Sequence, residues 1–106
     1  MLLGSMQDWP LRVGRLIDHA AREHGHRAIV SRWADGRETQ TSWGQVRVDA
    51  LKLARALREA GIGAGDRVAT LAMNHAAHLV AWYGVPGAGA VLHTLNPRLF
   101  DDQLAY

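Results

Sequence analysis

The chain has 106 residues, 48% of them hydrophobic and 21% charged, with 12 Lys and Arg set against 10 Asp and Glu for a balance of +2. These proportions exclude a disordered or fibrous polymer, and the length admits one small domain with a packed core. With no cysteine there is no disulfide frame, thiolate zinc site or Cys nucleophile, and no stretch approaches the ~20 apolar residues of a bilayer span, so no transmembrane segment is expected.

Eleven of the 12 bases are Arg, which lifts the isoelectric point to 9.7, but they are scattered among acids and apolar residues. Nucleic-acid binding needs several bases gathered in one patch, so no nucleic-acid partner is expected. The opening Met1 to Met6 gives way at once to Gln7 and Asp8, too short an apolar run for a secretory leader, and a cytoplasmic location is expected.

From Leu11 to His24, the residues Leu16, Ile17, Ala20 and Ala21 recur at helical spacing among charged neighbours, and Gly25 is the expected stop. Arg27 to Trp33 and Glu38 to Thr41 read as extended runs around Asp35-Gly36, a β-hairpin. Ser42-Trp43-Gly44-Gln45 has the form of a capping box, opening a helix whose apolar series is Val46, Ala50, Leu53, Ala54, Leu57 and Ala60, ended by Gly61. The nearly continuous apolar run Arg67 to Met73 predicts a strand covered on both faces. A helix is expected from about Ala76 through Tyr83, with Pro86 kinking or ending it, and Ala90 to Leu95 is a second buried strand. Strand, helix and strand make a βαβ unit. The stretch Asn96 to Tyr106 opens a further helix with Asp101 and Asp102 in its first turn. Strands apolar on both sides need neighbours on each side, so the chain is expected to be the N-terminal part of something longer and marginally stable alone.

No catalytic constellation emerges from the residues. A phosphate loop must follow a strand and open a helix, whereas Gly61 to Gly65 and Gly84 to Gly89 both lie between a helix and a strand, so turns and tight packing are expected of them. His75 and His78 have metal-ligand spacing but no third ligand nearby, and they read as local hydrogen-bonders at a helix start; His24 and His26 are weaker still. His93 lies near the C-terminal end of a strand, where open α/β sheets place ligands, although a satisfied core or interface histidine is the commoner role. Trp9, Trp33, Trp43 and Trp82 read as core or interface anchors, and Asp18, Glu23, Asp49 and Glu59 as solvated helix faces. Ser5, Ser31 and Ser42 all lack a nucleophile elbow.

The string Gly61-Ile62-Gly63-Ala64-Gly65-Asp66-Arg67-Val68-Ala69-Thr70-Leu71 resembles a junction of the AMP-forming acyl-CoA synthetases, the adenylate-forming superfamily. Asn74-His75, His78-Leu79 and the run from Gly84 to Leu99 resemble its long- and medium-chain fatty acyl-CoA ligase branch, with His93 to Leu99 the most specific piece. The resemblance extends back through the hairpin to Gln7-Asp8-Trp9-Pro10-Leu11 and so covers essentially the whole chain. It implies an α/β fold in which residues 1–106 are the incomplete N-terminal part of an AMP-binding domain, carrying a β-hairpin and a βαβ unit of an incomplete sheet. It further implies a parent enzyme that uses ATP and Mg²⁺ to turn a carboxylate into an acyl-adenylate with release of pyrophosphate, after which the CoA thiol displaces AMP.

The family's phosphate loop, ribose-binding Asp, hinge and C-terminal Lys have no match here, so no catalytic, cofactor-binding or metal residue is assigned from Met1 to Tyr106. The chain alone is expected to be inactive scaffold. A fatty acid is the favoured substrate of the parent, with a short sulfur-containing or other small carboxylate open, and Trp9 with the first helix is the candidate contact of a homodimer. The contrasting reading is a non-catalytic stand-alone module that pairs with a partner or with itself through exposed strand edges.

Overall fold

A computed structural model describes Gly4 and residues 8–106; the remainder of the leader Met1 to Gln7 lies outside the described residues. The elements in order are α1 (Val13–His24), β1 (Ala28–Arg32), β2 (Glu38–Ser42), α2 (Trp43–Glu59), β3 (Arg67–Thr70), α3 (Ala76–Gly87), β4 (Val91–Thr94) and α4 (Asp101–Ala105). β1 and β2 pair antiparallel, and β3 and β4 pair parallel across α3, giving the expected hairpin and βαβ unit as two separate two-stranded sheets.

The hairpin turns through three residues. Gly36 N–H donates to the Trp33 carbonyl at 2.9 Å and Trp33 N–H to the Arg37 carbonyl at 2.8 Å, with Gly36 at φ +83°, where a side chain would be strained. Ser42 caps α2 by accepting from Gln45 N–H at 3.2 Å, as the S-x-x-Q pattern predicts. The reciprocal half of that box does not form; the Gln45 side chain is turned along the helix, its Nε2 donating to Asp49 Oδ1 one turn on at 2.9 Å.

The core is where the three long helices meet. Ile17 of α1, Val46, Ala50 and Ala54 of α2, and Val85 of α3 are buried. Small residues let α2 and α3 come close: a Cβ added to Gly84 would lie 2.8 Å from Leu53 Cδ2 and 3.0 Å from the Ala50 carbonyl oxygen. Arg58 of α2 donates to the Gly87 carbonyl at 2.6 Å, satisfying a C-terminal acceptor of α3 with a cation where the helix dipole favours one. This packing explains a departure from expectation, for α3 runs past Tyr83 and through Pro86 to Gly87. Pro86 sits in the last turn, where one donor is lost, while Ala88 N–H still reaches the Gly84 and Val85 carbonyls.

The parallel strands also depart from expectation. β3 stops at Thr70 and β4 spans Val91–Thr94, both shorter than predicted, and they are covered on one side only. Leu71, Met73 and Val91 are 60%, 67% and 52% exposed, and His93 is exposed too, not set in a buried strand. A ladder two strands wide offers each strand one partner, and α3 is the helix that packs on these strands.

Candidate functional site

A groove of about 320 Å³ lies between β1 and the start of α3, lined by Ile29, Val30, Ser31, His75, His78 and Trp82 among others. Its floor is Ser31, only 3% exposed, whose Oγ accepts the Ala76 N–H at 2.9 Å. That contact joins the hairpin to the first turn of α3 and satisfies one of the helix's open donors.

His75 is the N-cap of α3. Its Nδ1 accepts from His78 N–H at 3.3 Å, and its ring stacks on Trp33 with centroids 4.5 Å apart. His78 reaches β3 through Nε2, 3.0 Å from Thr70 Oγ1, and its ring lies edge-on to Trp82. Trp33 is held in turn by donating to Thr39 Oγ1 at 2.9 Å, with the Arg37 guanidinium 5.1 Å from its ring. Both histidines are therefore local hydrogen-bonders at a helix start, as their spacing suggested. No group of three or more His, Asp or Glu side chains gathers among the described residues, so these do not fit a Mg²⁺ site. Ser31 Oγ, His75 Nδ1 and His78 Nε2 are each engaged with a neighbouring element or turn, so the groove floor serves as a joint between the hairpin, β3 and α3.

The other candidates fall where turns and surfaces put them. Gly61 and Gly65 adopt φ +84° and +88° in the α2–β3 turn, which Asp66 closes by accepting from Gly63 N–H at 2.9 Å. Gly89, at φ +91°, leads out of α3. Trp33 and Trp43 are half-buried while Trp9 and Trp82 are more than half exposed, so none is a fully buried core residue; Trp9 lies under the Arg15 guanidinium at 4.1 Å. Asp18 pairs with Arg47 at 2.6 Å, tying α1 to α2, and Glu59 pairs with Arg55. A hydrogen bond from Arg22 and that residue's charge hold the exposed Glu23 carboxyl below its ordinary range. Asp101 and Asp102 occupy the first turn of α4. His93 pairs in register with Ala69 and faces solvent, far from the joint in chain and element.

Sequence reasoning did not anticipate the joint. Ser31 and Ala76 stand 45 residues apart, and no local pattern marks a hydroxyl as the acceptor for a distant helix start.

Known proteins place this arrangement in a family. Residues 16–106 match the AMP-binding enzyme family. The chain is 48% identical over 105 residues to a 3-methylmercaptopropionyl-CoA ligase of Ruegeria lacuscaerulensis, covering 99% of this chain and 20% of that protein. It is 47% identical over 105 residues to a medium-chain-fatty-acid–CoA ligase of Ectopseudomonas oleovorans, covering 99% of the chain and 19% of the relative. Among solved structures, a Mycobacterium tuberculosis fatty acyl CoA synthetase superposes with a TM-score of 0.71 at 26% identity, over 88% of this chain and 18% of the other. The chain thus spans about a fifth of the length of the curated relatives it matches. A family match over residues 16–106, together with the shared fold, means that the chain belongs to the family of AMP-binding enzymes.

Proposed function

We propose that this chain is the N-terminal scaffold portion of an ATP-dependent acid–CoA ligase, which joins a carboxylate to AMP with loss of pyrophosphate and then passes the acyl group to the CoA thiol. The observation that carries the reading is the match of 105 residues at 48% and 47% identity to two acyl-CoA ligases. A fatty acid of medium or long chain is the favoured substrate, and a small sulfur-containing acid is the other candidate, since one ligase of each kind is almost equally similar. ATP, Mg²⁺ and CoA belong to the whole enzyme in this reading, which is cytoplasmic. No step is assigned to a residue of this chain, whose part is to hold the hairpin, α2 and α3 in one block.

A contact between copies through Trp9 and α1 belongs to the same reading. It is supported by the exposure of Leu11 and Leu16, at 95% and 58%.

The test begins with the reading frame past the Tyr106 codon. An open frame that encodes a Ser/Thr/Gly-rich phosphate loop, and a product that releases pyrophosphate from ATP only when an acid from a panel of chain lengths is present and yields the acyl-CoA thioester once CoA is added, is the expected result. A stop codon at that point, or a full-length protein inert with every acid, overturns it.

A further inference from the structure

The tip of the β1–β2 hairpin carries a peptide bond whose own chemistry the scaffold role does not use. Asp35-Gly36 is the one place in the sequence where an Asp or Asn is followed by glycine. Both residues are exposed, and a Cβ added to Gly36 would meet nothing within 4 Å, so open space lies beside it. Every other Asp and Asn precedes a residue that has a Cβ, and Asp18, Asp49, Asp101 and Asp102 are also held in helices. What restrains the tip is local to it. Gly36 N–H donates to the Trp33 carbonyl at 2.9 Å, and Asp35 Oδ1 accepts the Arg37 N–H at 2.9 Å, with the Arg37 guanidinium nitrogen Nε 3.7 Å from Oδ2. Exposed hydrogen bonds at a loop tip open far more often than a packed core does.

We propose that Asp35-Gly36 is a site of spontaneous isoaspartate formation, kept slow by the closed turn. When the turn opens, the Gly36 nitrogen attacks the carboxyl carbon of Asp35 in its acid form. A nitrogen–carbon bond forms, the nitrogen gives up its proton, and the carboxyl hydroxyl leaves with that proton as water. The cyclic imide then takes up water at either carbonyl. Addition at one restores aspartate; addition at the other leaves the chain running through the Asp35 side chain, with Cβ in the backbone and the α-carboxylate as the side group. Glycine favours the closure because a Cβ on the attacking residue would crowd it. The product has one more backbone carbon between Trp33 and Arg37, whose carbonyl accepts the Trp33 N–H at 2.8 Å, so the turn cannot close as before. Trp33, whose ring stacks on His75 with centroids 4.5 Å apart, then loses its fixed place, and the change at the tip reaches the joint with α3. The proposal is independent of the ligase reading, for no step in it needs ATP, CoA or an acid.

The experiment incubates the full 106-residue chain in warm, near-neutral buffer, with and without urea. Isoaspartate is counted by methyl transfer from S-adenosylmethionine with a protein isoaspartyl methyltransferase and located by peptide mass spectrometry. The expected result is accumulation at Asp35 ahead of every other Asp and Asn, about tenfold or more faster in urea, where the hydrogen bonds of the turn are gone. Asp35→Glu, which would have to close a larger ring, abolishes the signal. Asp35→Asn keeps the oxygen that accepts the Arg37 N–H and closes the same ring with ammonia as the leaving group, so it reacts faster and gains mass as the amide becomes an acid. The proposal is overturned by no isoaspartate at Asp35 in either solvent, by accumulation first at another residue, by a signal that survives Asp35→Glu, or by equal rates in buffer and urea.

A second measurement reads the consequence. The isoaspartate form, separated by chromatography, is expected to exchange the Ala76 amide hydrogen faster than the unmodified chain, because that amide is held by Ser31 on the strand that leads to Trp33. Exchange at Ala76 unchanged by the modification overturns the passage of the damage from tip to joint. None of these readouts involves turnover, so a protein that isomerises at Asp35 and activates no acid refutes the ligase reading alone.

Discussion

The helical block and the parallel strand pair are built from similarly apolar sequence, yet they end in opposite states. Along α2 and α3, small residues at Ala50, Ala54 and Gly84 draw two backbones together until Val46 and Val85 are 1% and 2% exposed. Along β3 and β4, the apolar residues are shared between two faces, and one of them is open. The difference teaches that a helix finds its partners within a hundred residues because it buries one stripe, whereas a central parallel strand needs cover on two faces and neighbours on two edges. The helices can be finished locally; the sheet cannot.

Gly84→Val would break the comparison from the finished side. The added Cβ has Leu53 and the Ala50 carbonyl at 3.0 Å or less, so α2 and α3 must part, and a loss of about 3 kcal/mol is expected in urea unfolding, enough to abolish a cooperative transition in a chain this small. A pair of valine truncations would sharpen it. Val46→Ala, in the buried centre of α2, is expected to cost about 2 kcal/mol, whereas Val91→Ala, on the open face and 52% exposed, should stay within about 0.5 kcal/mol; equal losses would erase the distinction between the two regions. Ser42→Ala is the smallest of the expected losses inside the helical block. It removes the acceptor for Gln45 N–H where the hairpin enters α2, and about 1 kcal/mol is expected in urea unfolding, with faster amide hydrogen exchange confined to the first turn of that helix.

Much of the fold was legible because the signals were local. The apolar stripe from Leu16 to Ala21, the Asp35-Gly36 turn, the Ser42 cap and the helix-to-strand polarity of both glycine clusters each occupy a few adjacent residues, and each has the structure its pattern predicts. The misreadings arose where distant contacts decide. Pro86 was expected to kink or end a helix running through about Tyr83, but Val85 and Gly84 are pinned against α2 and Arg58 holds the Gly87 carbonyl, so the helix survives one missing donor. Gln45 was expected to reach back to Ser42, but its side chain points along the helix instead, with Nε2 donating to Asp49 Oδ1. The strands from Val68 and Ala90 read as buried because composition records what a strand is suited to, not what lies over it. At the candidate site, the pairing of His75 with His78 was visible as a spacing, while the Trp33 stack and the Ser31 floor were not, since their partners lie tens of residues away.

The hydroxyl of Ser31 also sets an order of events during synthesis. Its partner, the Ala76 amide, is made 45 residues later, an interval of roughly 2–9 s at the ~5–20 residues per second of translation. Until then the Ser31 hydroxyl lacks the partner it has in the folded chain, and the Trp33 ring has no histidine to lie against. The nascent hairpin therefore waits, closed by its own turn alone, and becomes anchored only when the start of α3 arrives. A delay inserted between codons 31 and 76 lengthens the period in which that anchor does not yet exist.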